Sequence, residues 1–70
     1  MKPTVGRIVH YQTVIGEDTL LPLAAVVTET YSDNEMEAGL FILYVTEHAF
    51  RQHIPFSETP KLGHWNWPPR

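Results

Sequence analysis

The sequence predicts a small all-β domain. Three observations carry this: short runs of β-branched and aromatic residues recur along the chain, clusters of turn residues separate them, and no stretch keeps a convincing helical period. Seventy residues make one domain, taken as residues 1–70. A chain this short buries only roughly 60% of its unfolded surface, so it gains from extra fastening. Disulfides cannot supply it, because the chain has no cysteine. A hydrophobic fraction of 43% sets it apart from disordered tails, which leaves assembly with other copies as a way to bury more surface. A homo-oligomer is therefore expected.

The first predicted strand covers residues 4–14, bounded by Pro3 and by Gly16-Glu17-Asp18. Val5, Arg7, Val9 and Tyr11 share one face; Gly6, Ile8, His10 and Gln12 share the other. Residues 20–31 form the second strand. Leu23-Ala24-Ala25 is compatible with a helix, but Pro22 and the β-branched run Val26-Val27-Thr28 favour a strand. The two alanines point to close approach of another strand or chain. Residues 32–37 are a polar, acidic turn. They lack the spacing of a calcium-binding loop, so a solvated connection is the simpler reading.

The apolar run at residues 40–45 suits a central strand covered on both faces. Residues 46–49 turn the chain. Residues 50–56 form a fourth strand with Phe50, Gln52, Ile54 and Phe56 on one face and Arg51 and His53 on the other. Pro55 cannot donate to a ladder, so this end lies at an edge. In the tail, Pro60 and Gly63 make a turn, and Trp65 and Trp67 share one face of an extended segment. One tryptophan in the core and one near the surface is the balanced expectation. The architecture that best fits is a five-stranded Src-homology-3-like barrel, with a reduced oligonucleotide-binding barrel as the alternative.

Chemistry is sparse. His10, His48, His53 and His64 lie on four separate segments without zinc-ligand spacing, so no metal or other cofactor is expected. Ser57 and Glu58 point opposite ways in an extended chain, and neither a nucleophile elbow nor a glycine-rich phosphate loop is present. A catalytic role is not expected. A net charge of −3 with scattered Lys and Arg disfavours duplex nucleic acid, which rewards a basic stripe. The longest apolar run is far short of the ~20 residues that span a bilayer. No membrane partner is expected. The start lacks the apolar core of a signal peptide, so cytoplasm is the expected compartment.

What remains is aromatic surface and a few guanidinium groups, the parts that stack a ring and meet a phosphate. The expected pocket lies where the first strand meets the tail. It takes His10, Tyr11, Ser57, His64, Trp65 and Trp67 around a small nucleotide-like ligand. Trp65 or Trp67 stacks the ring, Ser57 hydrogen-bonds the ligand, and Arg7 or Arg70 neutralises phosphate.

Both ends of the chain carry recognisable motifs. Val5-Gly6-Arg7-Ile8-Val9-His10-Tyr11 resembles the opening of a family of short tailed-phage and prophage proteins. Members of that family end in Pro-Tyr-Ser-Glu followed by Gly-x-Trp-x-Trp-Pro. Here these stand as Pro55-Phe56-Ser57-Glu58 and Gly63-His64-Trp65-Asn66-Trp67-Pro68. Pro22 to Val27 is similar to the family's second strand. Phe56 departs from the usual tyrosine and lacks its hydroxyl. The resemblance implies a viral protein at work in the host cytoplasm. By analogy with other small phage proteins, it implies an anti-defence sponge that sequesters a cyclic nucleotide or ADP-ribose-derived signal. The alternative is an adaptor that binds a host protein or takes part in virion assembly.

Overall fold

A computed structural model describes residues 2–69. The protein is all-β. Five strands follow in chain order: β1 (Ile8–Ile15), β2 (Thr19–Thr30), β3 (Ala38–Leu43), β4 (His48–Ile54) and β5 (Trp65–Asn66). They form one antiparallel sheet in the order β4-β3-β2-β1-β5. The first four make a simple meander. The tail then crosses back to pair with β1, matching Tyr11 with Trp65 and His10 with Asn66.

The small five-stranded fold expected from the sequence is present, but the sheet is open and not a closed barrel. A single parallel bridge links Phe56, just past β4, to Trp65. The Trp65 amide donates to Pro55 O and the Ser57 amide donates to Trp65 O, each at 3.0 Å. These two bonds draw the end of the chain after β4 against β5. Pro55 accepts here without needing an N–H to give, which is why proline is tolerated at this place.

The core lies on one face of the curved sheet. Val9, Leu23, Ala25, Val27, Ala38, Leu40, Ile42, Ile54 and Trp65 are buried together. The period-2 pattern of β2 reads directly into this, with Leu23, Ala25 and Val27 inward and Pro22, Ala24 and Thr28 exposed. Ala25 is fully buried, so its small side chain fits a crowded position between β1 and β3. Tyr11, Phe56 and Trp67 pack around the margin.

Three expectations need correction. β1 begins at Ile8, because Thr4 to Arg7 close a turn through a 3.1 Å bond from the Arg7 amide to Thr4 O. β3 is not covered on both faces: Leu43 is exposed and Phe41 only half-buried. β4 does not keep one alternation along its length. Its register against β3 shifts between Leu40↔Arg51 and Ala38↔Ile54, and His53 takes a left-handed φ of 55°. That extra residue puts Ile54 in the core while Phe50, two alternations earlier, stays on the outer face.

Candidate functional site

The tail is aimed by Gly63. The His64 amide donates to Lys61 O at 3.1 Å, closing a turn in which Gly63 has φ 75°. A side chain is disfavoured in that conformation, so glycine suits the position. Just beyond, the Gly63 amide donates to Gln12 O (2.9 Å) and the Gln12 amide to His64 O (3.0 Å). The tail is thereby locked to β1 in one register, and register decides which face each tail residue occupies.

That register divides the expected pocket between the two faces of the sheet. Trp65 lies opposite Tyr11 and is completely buried. Its indole Nε1–H donates to Met36 O at 3.0 Å, its ring packs at 4.8 Å from Phe56, and no face is left for a ligand. Trp67 is half-buried, edge-on to Trp65 at 5.2 Å, with the Arg7 guanidinium 5.1 Å above its ring. The division of the tryptophans into one core and one peripheral residue therefore holds, but Trp65 cannot stack a ring in this arrangement. Ser57 is also occupied: its hydroxyl donates to Thr59 O at 2.6 Å. His64 Nδ1 lies 2.9 Å from Leu62 O, within its own turn. Arg70 lies outside the described residues.

His10 is the expected residue that reaches a cavity on the outer face. It is half-buried, flanked in register by Ala24 on β2 and Asn66 on β5. Beside it Gln12 is 3% exposed, and its amide Nε2 donates to Asn66 Oδ1 at 2.8 Å. Asn66 Nδ2 donates in turn to Trp67 O at 3.1 Å. Each carboxamide is held in place by the other, so neither is free to rotate. These three residues line a groove of about 320 Å³ whose other lining comes from Leu20, Pro22, Pro60 and Pro69. Among the described residues, His10 is the one titratable group in that lining, and no guanidinium joins it. Chemically the groove can pack apolar rings and exchange hydrogen bonds, with the His10 imidazole as the titratable group among its described lining residues.

The sequence reading missed Gln12 and Asn66. The signal was available in part, since Gln12 alternates with Ile8 and His10 along one face. Its partner, 54 positions away, is found only once the tail's register is known.

A second polar cluster sits at the other end of the sheet and was not foreseen. The Tyr31 hydroxyl donates to Glu29 Oε1 at 2.8 Å and accepts from the His53 amide at 3.1 Å. Gln52 Nε2 donates to the same Glu29 oxygen at 3.2 Å. The Tyr31 and His53 rings stack at 4.1 Å and 15°, and His53 Nδ1 meets Glu37 Oε1 at 3.0 Å. Burial raises the Tyr31 pKa above its usual 10.0, and hydrogen bonding to Glu29 and the charges of Glu29 and Glu37 add to this against the opposing His53 amide bond. The cluster spans two register shifts, one in β2 between Val27 and Glu29 and one in β4. Its evident role is to hold those bulges, since the Tyr31 hydroxyl takes up the amide that His53 turns away from the ladder. Among the described residues, no three His, Asp or Glu side chains gather as a set of metal ligands.

No family model matches this chain, and no curated protein or solved structure shows significant similarity to it.

Proposed function

We propose that this chain is a non-catalytic binding protein that holds a flat, nucleotide-like ligand against the outer face where β2, β1 and β5 meet. The observation that carries this is the fixed carboxamide pair of Gln12 and Asn66 beside the His10 imidazole, walled by proline and leucine. Small-ligand sites are typically apolar concavities with a few placed polar groups, and carboxamides match the donor–acceptor edge of a base. The resemblance at both ends of the chain supports a phage protein acting in the host cytoplasm, where sequestering a signal nucleotide would blunt a defence response. Arg7 stands over Trp67, outside the lining of this groove, so it is not placed to neutralise a phosphate there.

Calorimetry against cyclic di- and trinucleotides and cyclic ADP-ribose isomers tests the proposal. One of them is expected to bind, and His10→Ala is expected to weaken it at least tenfold with the fold intact. No heat from any ligand would sink the reading. A second reading, an adaptor for a host or virion protein, is favoured by Ile8 and Val14, which are exposed on β1 at either end of the same face as His10 and Gln12. A stoichiometric partner recovered from infected cells, or the protein's presence in purified virions, would select it.

A further inference from the structure

β4 is first in the strand order, so among the described residues one side of it has no strand beside it. Which backbone groups face that open side follows from the hairpin. The Tyr44 amide donates to Glu47 O at 2.9 Å, which makes these two a hydrogen-bonded pair. Antiparallel pairs alternate between bonded and non-bonded. Ile42↔Ala49 and Leu40↔Arg51 are then bonded, while Leu43↔His48 and Phe41↔Phe50 are not. The N–H and C=O of His48 and Phe50 therefore face outward, and the same parity brings in Gln52, the last position before His53 and its left-handed φ.

The outward positions 48, 50 and 52 are symmetric about Phe50. We propose that two copies of this chain pair antiparallel along β4, with the twofold axis at Phe50. Phe50 then faces Phe50 of the second copy as a bonded pair, His48 faces Gln52, and Ala49 faces Arg51. No like charges lie opposite each other, whereas centring the pairing on Arg51 would set two guanidinium groups face to face. A centre at Ala49 would engage His48 and Phe50 but leave Gln52 outside the strand pairing.

Side chains support the same axis. Phe50 is 69% exposed although its ring stacks on Phe41 at 4.8 Å, and His48 meets its edge at 6.0 Å. Pairing at Phe50 would join this aromatic row to its copy in one stripe across four strands, covering apolar surface that a lone chain leaves in water. The bulge ends the pairing after Gln52, and the far edge of the sheet is met by Pro55 to Ser57, so the contact closes as a dimer and does not propagate into a fibre. The proposal rests on β4 alone and is independent of the ligand groove at the β5 end.

Charge exchange at the axis tests it. The wild-type chain is expected to sediment at twice 8.1 kDa. Phe50→Lys and Phe50→Glu, each alone, are expected to sediment as monomers with unchanged far-UV circular dichroism. An equimolar mixture of the two is expected to recover the dimer, because position 50 faces itself. A wild-type chain that stays monomeric at its highest soluble concentration overturns the proposal. So does an oligomer that neither substitution disturbs, or a mixture that stays monomeric. Loss of fold in either variant shifts the test to Ala49→Lys and Arg51→Glu. Those positions face each other, so the double variant is expected to remain dimeric, and a monomeric double variant with intact fold overturns the proposal equally.

Discussion

At the β5 end of the sheet, order comes from burial. Trp65 has no exposed surface, and the tail that carries it is fixed by backbone bonds to β1 and by the Gln12–Asn66 pair. At the β4 end, order comes from irregularity. Two bulges face each other across β3, and a web of Glu29, Tyr31, Gln52 and His53 ties them. Gly39 lies between them, and a Cβ there would come within 2.9 Å of the Glu29 Cβ and 3.2 Å of the Tyr31 hydroxyl. One end is thus held by apolar volume and the other by the absence of a single methyl group. The same sheet has a rigid, filled margin and a sculpted one.

The largest effect should fall on the filled end. Trp65→Ala is expected to cost about 3–5 kcal/mol, in the range for removing a buried large aromatic. That is comparable to the whole stability of a domain this size, roughly 0.05–0.15 kcal/mol per residue. Urea unfolding followed by circular dichroism should show the variant largely unfolded without denaturant, while Trp67→Ala stays folded. Equal losses at the two positions would mean that the tail packs differently from the arrangement described.

At the sculpted end, Gly39→Ala is expected to cost about 1–3 kcal/mol by overpacking. Glu29→Gly removes the nearest obstructing atom, so the double variant should recover part of that loss. Additive losses in a double-mutant cycle would break the account of Gly39 as a close-approach position.

The smallest effect is at Tyr31. Tyr31→Phe removes a donor and an acceptor and should cost about 0.5–1.5 kcal/mol near neutral pH. The pH dependence sharpens this. The folded state favours the neutral phenol, so its contribution is fully present below the unfolded pKa of 10.0 and fades as pH rises through the higher folded value. The stability gap between wild type and Tyr31→Phe should therefore narrow above pH 10.0. A gap that stays constant or widens would remove Tyr31 as the pin of the bulges.

The sequence was most legible where periodicity and burial coincide. The alternation in β2, the polar turn at residues 32–37 and the Gly63 turn all follow from local chemistry, and Asn34 supports its turn through a contact from the Met36 amide. It was least legible at β4. A period-2 reading placed Phe50 and Ile54 on one face, and a bulge is invisible to periodicity because it inserts one residue without a composition of its own. The expected pocket failed in a related way. Tyr11 and His10 are neighbours in sequence and so lie on opposite faces, and the tryptophan opposite Tyr11 had to follow it inward. Nothing local could reveal that Gln12 finds its partner in Asn66.

The crossing of the tail has a kinetic side. Strands β1 to β4 are joined in sequence, so each pairing closes a short loop and carries a small entropic cost. Trp65, by contrast, meets Tyr11 only across more than three-quarters of the chain's length. Synthesis from the N-terminus delivers all four strands of the meander before this indole, which fills the hollow they leave. The last large piece of the core is thus the last to arrive, so a stalled or clipped nascent chain would display the apolar face of its sheet to whatever chaperone or protease reaches it first.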